Sequence, residues 1–233
     1  MQITRKMKKR KLFTAGCSVS TRNSCNISYP EELSNLLNYE LVNCAAGCGS
    51  NYRIWRILTK HIMDGDLTSD DLVIIQYTEP IRREFWSRFC TENKDVNMVD
   101  LYDEGTIIRF KFNSHTWQRT NEETEFLKLY EENFINDNFE MESFRVNNFN
   151  FQHMLKNNNI KVIFIKTNRL GRLNENIDFF TFNQYKKSFF YDFSNEDITN
   201  NQTETDSCHF SDKGHKLIAK NLYQHILNLK LND

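Results

Sequence analysis

Short apolar runs, separated by segments with helical spacing, constrain the fold more than any other feature of this chain. Leu72–Ile75 and Lys161–Ile165 are continuous and rich in β-branched residues. Runs of this kind are typical of strands that are covered on both faces in a parallel sheet. The same reasoning predicts strands at Lys11–Ala15, Leu41–Val42 and Ser188–Phe193.

Amphipathic helices are predicted between these strands. Pro30–Asn38 carries leucines at helical spacing, Tyr52–Met63 places its isoleucines on one face, and Ser211 is expected to cap a final helix. Strands that alternate with helices form a parallel sheet with helices on both faces. The sequence therefore predicts an α/β fold in a single domain, residues 1–233.

The segment 78–159, between the third and fourth predicted strands, is much longer than one crossover connection. Within it, Thr106–Phe112 alternates like a strand, and a capping box at Thr120–Glu123 opens a helix. We predict that this segment is a cap inserted into the domain. The polar stretch Asn195–Thr205 is predicted to be a loop.

Composition excludes several classes of partner. The net charge is −1, so the chain lacks a generally basic nucleic-acid footprint. No stretch approaches the ~18 apolar residues of a membrane-spanning helix. The basic run from Arg5 to Lys11 precedes an apolar stretch shorter than the ~7–15 residues of a secretory signal, so a solvated tail is preferred. We predict no nucleic-acid partner, no membrane partner and a cytoplasmic location.

The six cysteines are interpreted as reduced thiols, because the chain is large and no secretory signal is predicted. The chain has no CxxC pair. Cys44 and Cys48 are four residues apart, and Cys208 precedes His209. Neither spacing matches a structural zinc pattern, so no metal site is predicted.

Two segments that follow predicted strands contain residues suited to nucleophilic chemistry. In Gly16–Ser20, Ser18 lies on a tight turn near backbone N–H groups, which suits a nucleophile or a helix cap. Asp206 and His209 can face each other across one turn, so that the carboxylate orients the imidazole as a base. Two solvated loop residues are the alternative for that pair. His215 is expected inside the last helix as a packing or surface residue.

Small residues dominate a third segment, Asn43–Asn51, and let its backbone approach a ligand closely. Asn51 suits either a cap on the following helix or a side-chain donor to an oxyanion.

Together, these segments resemble the short sequence blocks of the SGNH (GDSL-like) hydrolase superfamily, spaced along nearly the whole chain. The resemblance implies a flavodoxin-like three-layer α/β/α sandwich with about five parallel strands. It also implies a catalytic triad of Ser18, His209 and Asp206. The nucleophile turn departs from the family pattern, because Cys17 stands where the family has an Asp.

The family's second block supplies a backbone oxyanion donor from a glycine. Gly47 is the first match here, and a one-residue shift would select Cys48 or Gly49. The family's third block, G-x-N-D, is missing. The third oxyanion donor is therefore expected from the Asn51 amide or the Thr78 hydroxyl, with Asn51 favoured.

The run after the third strand supplies the predicted substrate-binding residues, Tyr77 and Arg82. Arg82 suits an anionic or hydroxyl-rich substrate, although an ion pair with Glu84 is an equally good interpretation. Trp55, Trp86 and Trp117 could stack on a sugar ring, and core packing is the default for each.

The resemblance implies hydrolysis of small acyl esters, above all O-acetyl groups on carbohydrate, without a metal or organic cofactor. The expected partner is a small-molecule or carbohydrate ester, and the oligomeric state is left open. Two alternatives remain: an O-acyltransferase that uses the same triad, and a catalytically silent carbohydrate-binding or structural module.

Overall fold

The computed structural model describes residues 9–22, 25–47, 49–78, 83–87, 106–110, 121–134, 137–166, 188–192, 202–203 and 206–229. Its elements, in chain order, are β1 (Lys11–Ala15), a 3-10 turn (Ser18–Ser20), α1 (Tyr29–Leu37), β2 (Glu40–Asn43), α2 (Asn51–Met63), β3 (Leu72–Gln76), β4 (Arg83–Ser87), β5 (Thr106–Phe110), α3 (Asn121–Phe134), α4 (Asp137–Asn157), β6 (Lys161–Lys166), β7 (Ser188–Asp192), β8 (Gln202–Thr203), β9 (Asp206–Phe210) and α5 (Asp212–Asn228).

A parallel sheet of five strands, within the described residues, forms the centre of the fold. Its order is β2-β1-β3-β6-β7, and every neighbouring pair is parallel. This is the doubly wound order of flavodoxin-like folds, which confirms the fold class predicted from the sequence. The order reverses between β1 and β3, and a ligand crevice is expected at the carboxyl ends of strands at such a reversal.

Among the described residues, two helices cover each face of the sheet. Because side chains alternate along a strand, Phe13 and Val73 point to one face while Leu12 and Leu72 point to the other. Helices α2 and α4 cover the first face, and α1 and α5 cover the second. Along β3, the residues Leu72–Ile75 are apolar and at most 1% exposed, and the strand ends on the buried amide of Gln76.

Most predicted elements are confirmed with shifts of one or two residues at their ends. The Ser211 hydroxyl accepts a hydrogen bond from the Gly214 N–H at 3.2 Å and caps α5, as predicted. The interpretation of Asn195–Thr205 as a loop is wrong at Gln202 and Thr203, which form β8. That strand pairs antiparallel with β9.

Helix α4 corrects the extent of the predicted cap. Its residues Met141, Phe144, Phe151 and Leu155 are buried against the central sheet and α2. Their spacing follows one helical face, so α4 is a core helix that leads into β6. Within 78–159, the antiparallel strand pair β4 and β5 and helix α3 precede it. A cap role for that earlier part stays a prediction.

Candidate active site

The predicted nucleophile lies on a short turn at the carboxyl end of β1. The turn is closed by hydrogen bonds from the Ser20 N–H to the Cys17 carbonyl at 3.0 Å and from the Thr21 N–H to the Ser18 carbonyl at 3.1 Å. Cys17, Val19 and Ser20 are buried, whereas Ser18 is half-buried. The turn therefore presents the Ser18 side chain outward while its neighbours anchor it in the core.

The loop after β2 packs directly against the nucleophile turn. The Ala46 N–H donates to the Gly16 carbonyl at 3.2 Å, and the Gly49 N–H donates to the Ala46 carbonyl at 3.0 Å. A Cβ atom on Gly49 would lie 2.9 Å from the Gly16 oxygen, so only glycine allows this approach. A Cβ on Gly47 would meet nothing within 4 Å. Gly47, the predicted oxyanion donor, therefore borders open space beside the turn.

Asn51 ties this loop to the end of β3. Its Nδ2 donates to the Thr78 carbonyl at 2.8 Å, and its Oδ1 accepts from the Thr78 N–H at 2.9 Å. The helix cap is supplied by Ser50 instead, whose hydroxyl accepts from the Arg53 N–H at 3.1 Å. Because both ends of the Asn51 amide hold backbone, its evident role is to position Thr78.

The Thr78 hydroxyl is the better candidate for a side-chain oxyanion donor. Thr78 is 3% exposed, and its Oγ1 has no hydrogen-bond partner among the described residues. A buried hydroxyl is costly to leave without a hydrogen bond, so this oxygen is suited to bond a further polar atom. Asn51, the favoured donor of the sequence prediction, has both ends of its amide engaged, whereas the Thr78 hydroxyl has no partner among the described residues.

Tyr77 is a core residue, which corrects its predicted role in substrate binding. The side chain is 1% exposed and stacks on Phe164 with ring centroids 5.6 Å apart. Its hydroxyl donates to Asn148 Oδ1 in α4. Burial raises the pKa of the phenol well above its ordinary value. No surface of Tyr77 is left for a substrate.

The predicted acid–base pair lies on β9, which packs against the nucleophile turn: Cα atoms of the two elements lie within 8 Å of each other. Gln202 pairs with Phe210 and Thr203 with Asp206, so residues 207–209 form a bulge between the two pairs. A regular strand would send residues three apart to opposite faces, and a bulge removes that constraint. The His209 ring is half-buried, and the Asp206 side chain lies outside the described residues.

Two contacts hold the start of α5, directly after β9, against the segment that follows the nucleophile turn. The Asp212 carboxylate accepts from the backbone and side-chain N–H groups of Asn26, each at 2.7 Å. The Tyr29 N–H, at the first residue of α1, donates to His215 Nδ1 at 3.1 Å. These contacts, which the sequence analysis missed, brace the two halves of the candidate site.

His215 is a packing residue, as predicted, and it is buried in an uncharged form. It is 1% exposed and lies between Tyr29 and Phe210. Burial lowers its pKa to about 4, with a further lowering from His209 and an opposing effect of Asp212. Because Nδ1 accepts a hydrogen bond, the neutral ring carries its proton on Nε2.

The described cysteines are free thiols, in agreement with the sequence analysis. Cys17 and Cys44 are buried and Cys25 is half-buried. Burial raises the pKa of Cys44 and of Cys25 to about 11, so neither is a thiolate near neutral pH. The side chains of Cys48 and Cys208 lie outside the described residues.

Several other predictions concern side chains outside the described residues, namely Arg82, Glu84, Trp86 and Trp117. Trp55 packs in the core beside α4, which confirms the default interpretation. Among the described residues, no group of three or more His, Cys, Asp or Glu side chains is arranged to hold a metal ion. The helices described include none with the length and apolar character to cross a membrane.

Comparison with solved structures places this α/β/α sandwich beside ester-cleaving proteins. A G-D-S-L family protein described as lipolytic, from Desulfitobacterium hafniense DCB-2, matches with a TM-score of 0.54 and 12% identity. The match covers 93% of this chain and 99% of that chain. The fold expected from the resemblance in the sequence is thereby confirmed.

A second match is an acetyl xylan esterase from the rumen bacterium Butyrivibrio proteoclasticus, with a TM-score of 0.50 and 16% identity. It covers 96% of this chain and 65% of that chain. No protein-family model and no curated protein matches the sequence. At these identities the likeness concerns the fold.

Proposed function

We propose that this chain is a serine esterase of the SGNH type that hydrolyses small acyl esters through Ser18, His209 and Asp206. The observation that carries the proposal is the packing of β9 against the Ser18 turn, at the edge of the sheet where the strand order reverses. That packing brings together two segments almost 200 residues apart in the chain, one that carries Ser18 and one that carries His209.

In the proposed mechanism, Ser18 Oγ attacks the ester carbonyl and His209 accepts its proton. His209 then protonates the leaving alcohol, and Asp206 orients the imidazole and stabilises its charged form. Water attacks the resulting acyl-enzyme, with His209 again as the base. Each step moves a proton between named groups and needs no other reactant than ester and water.

The oxyanion of the tetrahedral intermediate would be bound at the meeting point of three loops. The Ser18 N–H, an N–H of the Gly47 loop and the Thr78 hydroxyl are the proposed donors. Removal of one such donor is expected to raise the barrier by about 3–4 kcal/mol. Asn51 contributes indirectly, because its two hydrogen bonds fix the backbone of Thr78.

The proposed substrates are O-acetyl esters of carbohydrate. The fold likeness to an acetyl xylan esterase supports this choice, as does the small-residue loop around Gly47, which leaves the turn accessible. The free thiols of Cys17, Cys25 and Cys44 support a reducing, cytoplasmic location. Acetate release from acetylated xylan, compared with release in the presence of acceptor sugars, would separate hydrolysis from acyl transfer.

A fluorophosphonate probe followed by intact-mass measurement tests the nucleophile directly. Wild-type protein is expected to gain one adduct, and Ser18→Ala none. Ser143→Ala, which alters a half-buried serine on α4, is the matched control and should label like wild type. A folded wild-type protein without an adduct would contradict the esterase and favour a silent binding module.

A further inference from the structure

The side-chain amide of Gln76, a buried residue at the end of β3, forms several hydrogen bonds with the nucleophile turn. Its Oε1 accepts from the Cys17 N–H at 3.1 Å, from the Cys17 thiol at 3.3 Å and from the Ser20 hydroxyl at 3.2 Å. Gln76 is 1% exposed, so water does not compete for this oxygen. The turn is therefore anchored to the neighbouring strand through a single atom.

The orientation of the Gln76 amide is fixed by two backbone groups. The Cys17 N–H can only donate, and the Tyr77 carbonyl, 2.8 Å from Gln76 Nε2, can only accept. If the amide were flipped, its NH2 group would face the Cys17 N–H, and its oxygen would face the Tyr77 carbonyl. The amide oxygen therefore points at the turn, and no other assignment satisfies the network.

The space around this amide also explains the glycine at the start of the turn. A Cβ atom on Gly16 would lie 2.7 Å from Gln76 Oε1 and 2.9 Å from Gln76 Cβ. Contacts this short require one side to move, because real side-chain carbons do not approach that closely. Gly16 and Gln76 thus fit together as a pair.

The same geometry accounts for Cys17, which departs from the family pattern. A thiol in this position is a donor, and it donates to the amide oxygen. A carboxylate there would instead place negative charge against the same oxygen. Cys17 is suited to a turn anchored by an amide oxygen, whereas aspartate is not.

We infer that Gln76 is a positioning residue for the nucleophile. It fixes the backbone of Cys17, directly before Ser18, and the side chain of Ser20, two residues after it, and so sets the direction of the Ser18 hydroxyl and of its N–H group. This inference rests on the proposed function of Ser18. It extends that function to a residue that does not touch the substrate.

The test compares Gln76→Met and Gln76→Glu with Gln152→Met, which removes a buried amide from α4 away from the turn. The measured quantity is the rate constant of fluorophosphonate labelling. Gln76→Met is expected to label about 100-fold more slowly than wild type, the loss typical of a misplacement of about 1 Å. Gln152→Met should label at the wild-type rate. Thermal melts show whether each variant is folded.

Gln76→Glu adds a second measurement, the pH dependence of the labelling rate, which a merely structural role of Gln76 would not change. Its protonated carboxyl can donate to the Tyr77 carbonyl and accept from the turn, as the amide does, whereas its carboxylate cannot donate. The ratio of its labelling rate to the wild-type rate should therefore rise as the pH is lowered. Taking the ratio at each pH removes the pH dependence that the two proteins have in common.

Labelling of Gln76→Met at the wild-type rate would overturn the inference while leaving Ser18 as the nucleophile. A ratio for Gln76→Glu that stays constant with pH would also overturn it, as would equal losses in Gln76→Met and Gln152→Met. An unlabelled, folded wild-type protein would overturn the proposed function and this inference with it.

Discussion

Acidification should destabilise this protein through one buried side chain, His215. The imidazole accepts a hydrogen bond from the Tyr29 N–H through Nδ1, and a proton on that atom would abolish the bond. In the unfolded chain the group takes up its proton near its ordinary pKa of 6.5, whereas in the folded protein burial lowers the pKa to about 4. The unfolded state therefore binds more protons between these two values, and the free energy of unfolding falls as the pH falls through them.

The size of the effect follows from the two pKa values of His215. At about 1.4 kcal/mol for each unit of pKa, the difference amounts to about 3 kcal/mol of stability. That contribution is fully present above pH 6.5, and about 2.5 kcal/mol of it should be lost by pH 4.5. For a domain with ordinary stability this is a substantial fraction of the total.

Urea denaturation at pH 7.5 and at pH 4.5, followed by tryptophan fluorescence, measures the loss. Carboxylates also contribute to the loss of stability in acid. Hydrogen bonds from Asn26 lower the pKa of Asp212, so protonation of this carboxylate also decreases the free energy of unfolding. The comparison is therefore made with His215→Gln, whose amide oxygen can accept from the Tyr29 N–H at any pH. This variant should lose about 2.5 kcal/mol less than wild type between the two pH values.

His225→Gln, on the same helix, controls for the removal of an imidazole. Burial lowers the pKa of His225 as well, but this ring is only half-buried. The variant should therefore lose nearly as much free energy of unfolding between pH 7.5 and pH 4.5 as wild type does. If wild type and His215→Gln lose equal free energy between pH 7.5 and 4.5, the imidazole is not held in its neutral form, and the reasoning fails.

Two further predictions concern the loops beside the nucleophile. Gly49→Ala should lower the labelling rate of Ser18 at least tenfold, because the new methyl group would lie 2.9 Å from the Gly16 oxygen; Ser143→Ala, on α4, should label normally. Equal rates in the two variants would contradict this packing. Asn51→Ala removes two buried hydrogen bonds and should cost about 2–3 kcal/mol in urea denaturation. A loss below about 0.5 kcal/mol would show that these bonds are replaced by water.

The strands of the sheet could be predicted from the sequence because burial on both faces requires a continuous run of apolar residues. Leu72–Ile75 needs apolar residues at every position, and no other common element gives so short a run. The cap at Ser211 was predictable for a similar reason, since a serine before an apolar stripe satisfies a local requirement of the helix end.

The contacts of the candidate site were less predictable, because they join distant parts of the chain. Tyr77 follows a strand and carries a hydroxyl, which favours an exposed role, but Asn148 lies 71 residues away and supplies the partner that allows burial. Asn51 could not be assigned from its neighbours either, because its partner is the backbone of Thr78. Local patterns carry no information on which distant group completes a hydrogen bond.

Helix α4 had a sequence signal that could have been recognised. Met141, Phe144, Phe151 and Leu155 share one helical face, which is the pattern of a core helix. Exposed aromatic residues on the same helix, Phe139 among them, obscured that pattern. The spacing of the buried residues was the better guide.

The hydrogen bond from Tyr29 to His215 joins residues 186 positions apart, and this separation affects how the protein reaches its native state. Contacts over so long a stretch are entropically costly to form, and topologies rich in them fold slowly. The segment after the Ser18 turn must therefore wait for the last helix before this contact can form. If Ser18 acts as proposed, a partly folded chain, or one still being synthesised, would carry an unactivated serine, and its reactivity should appear only with completed folding.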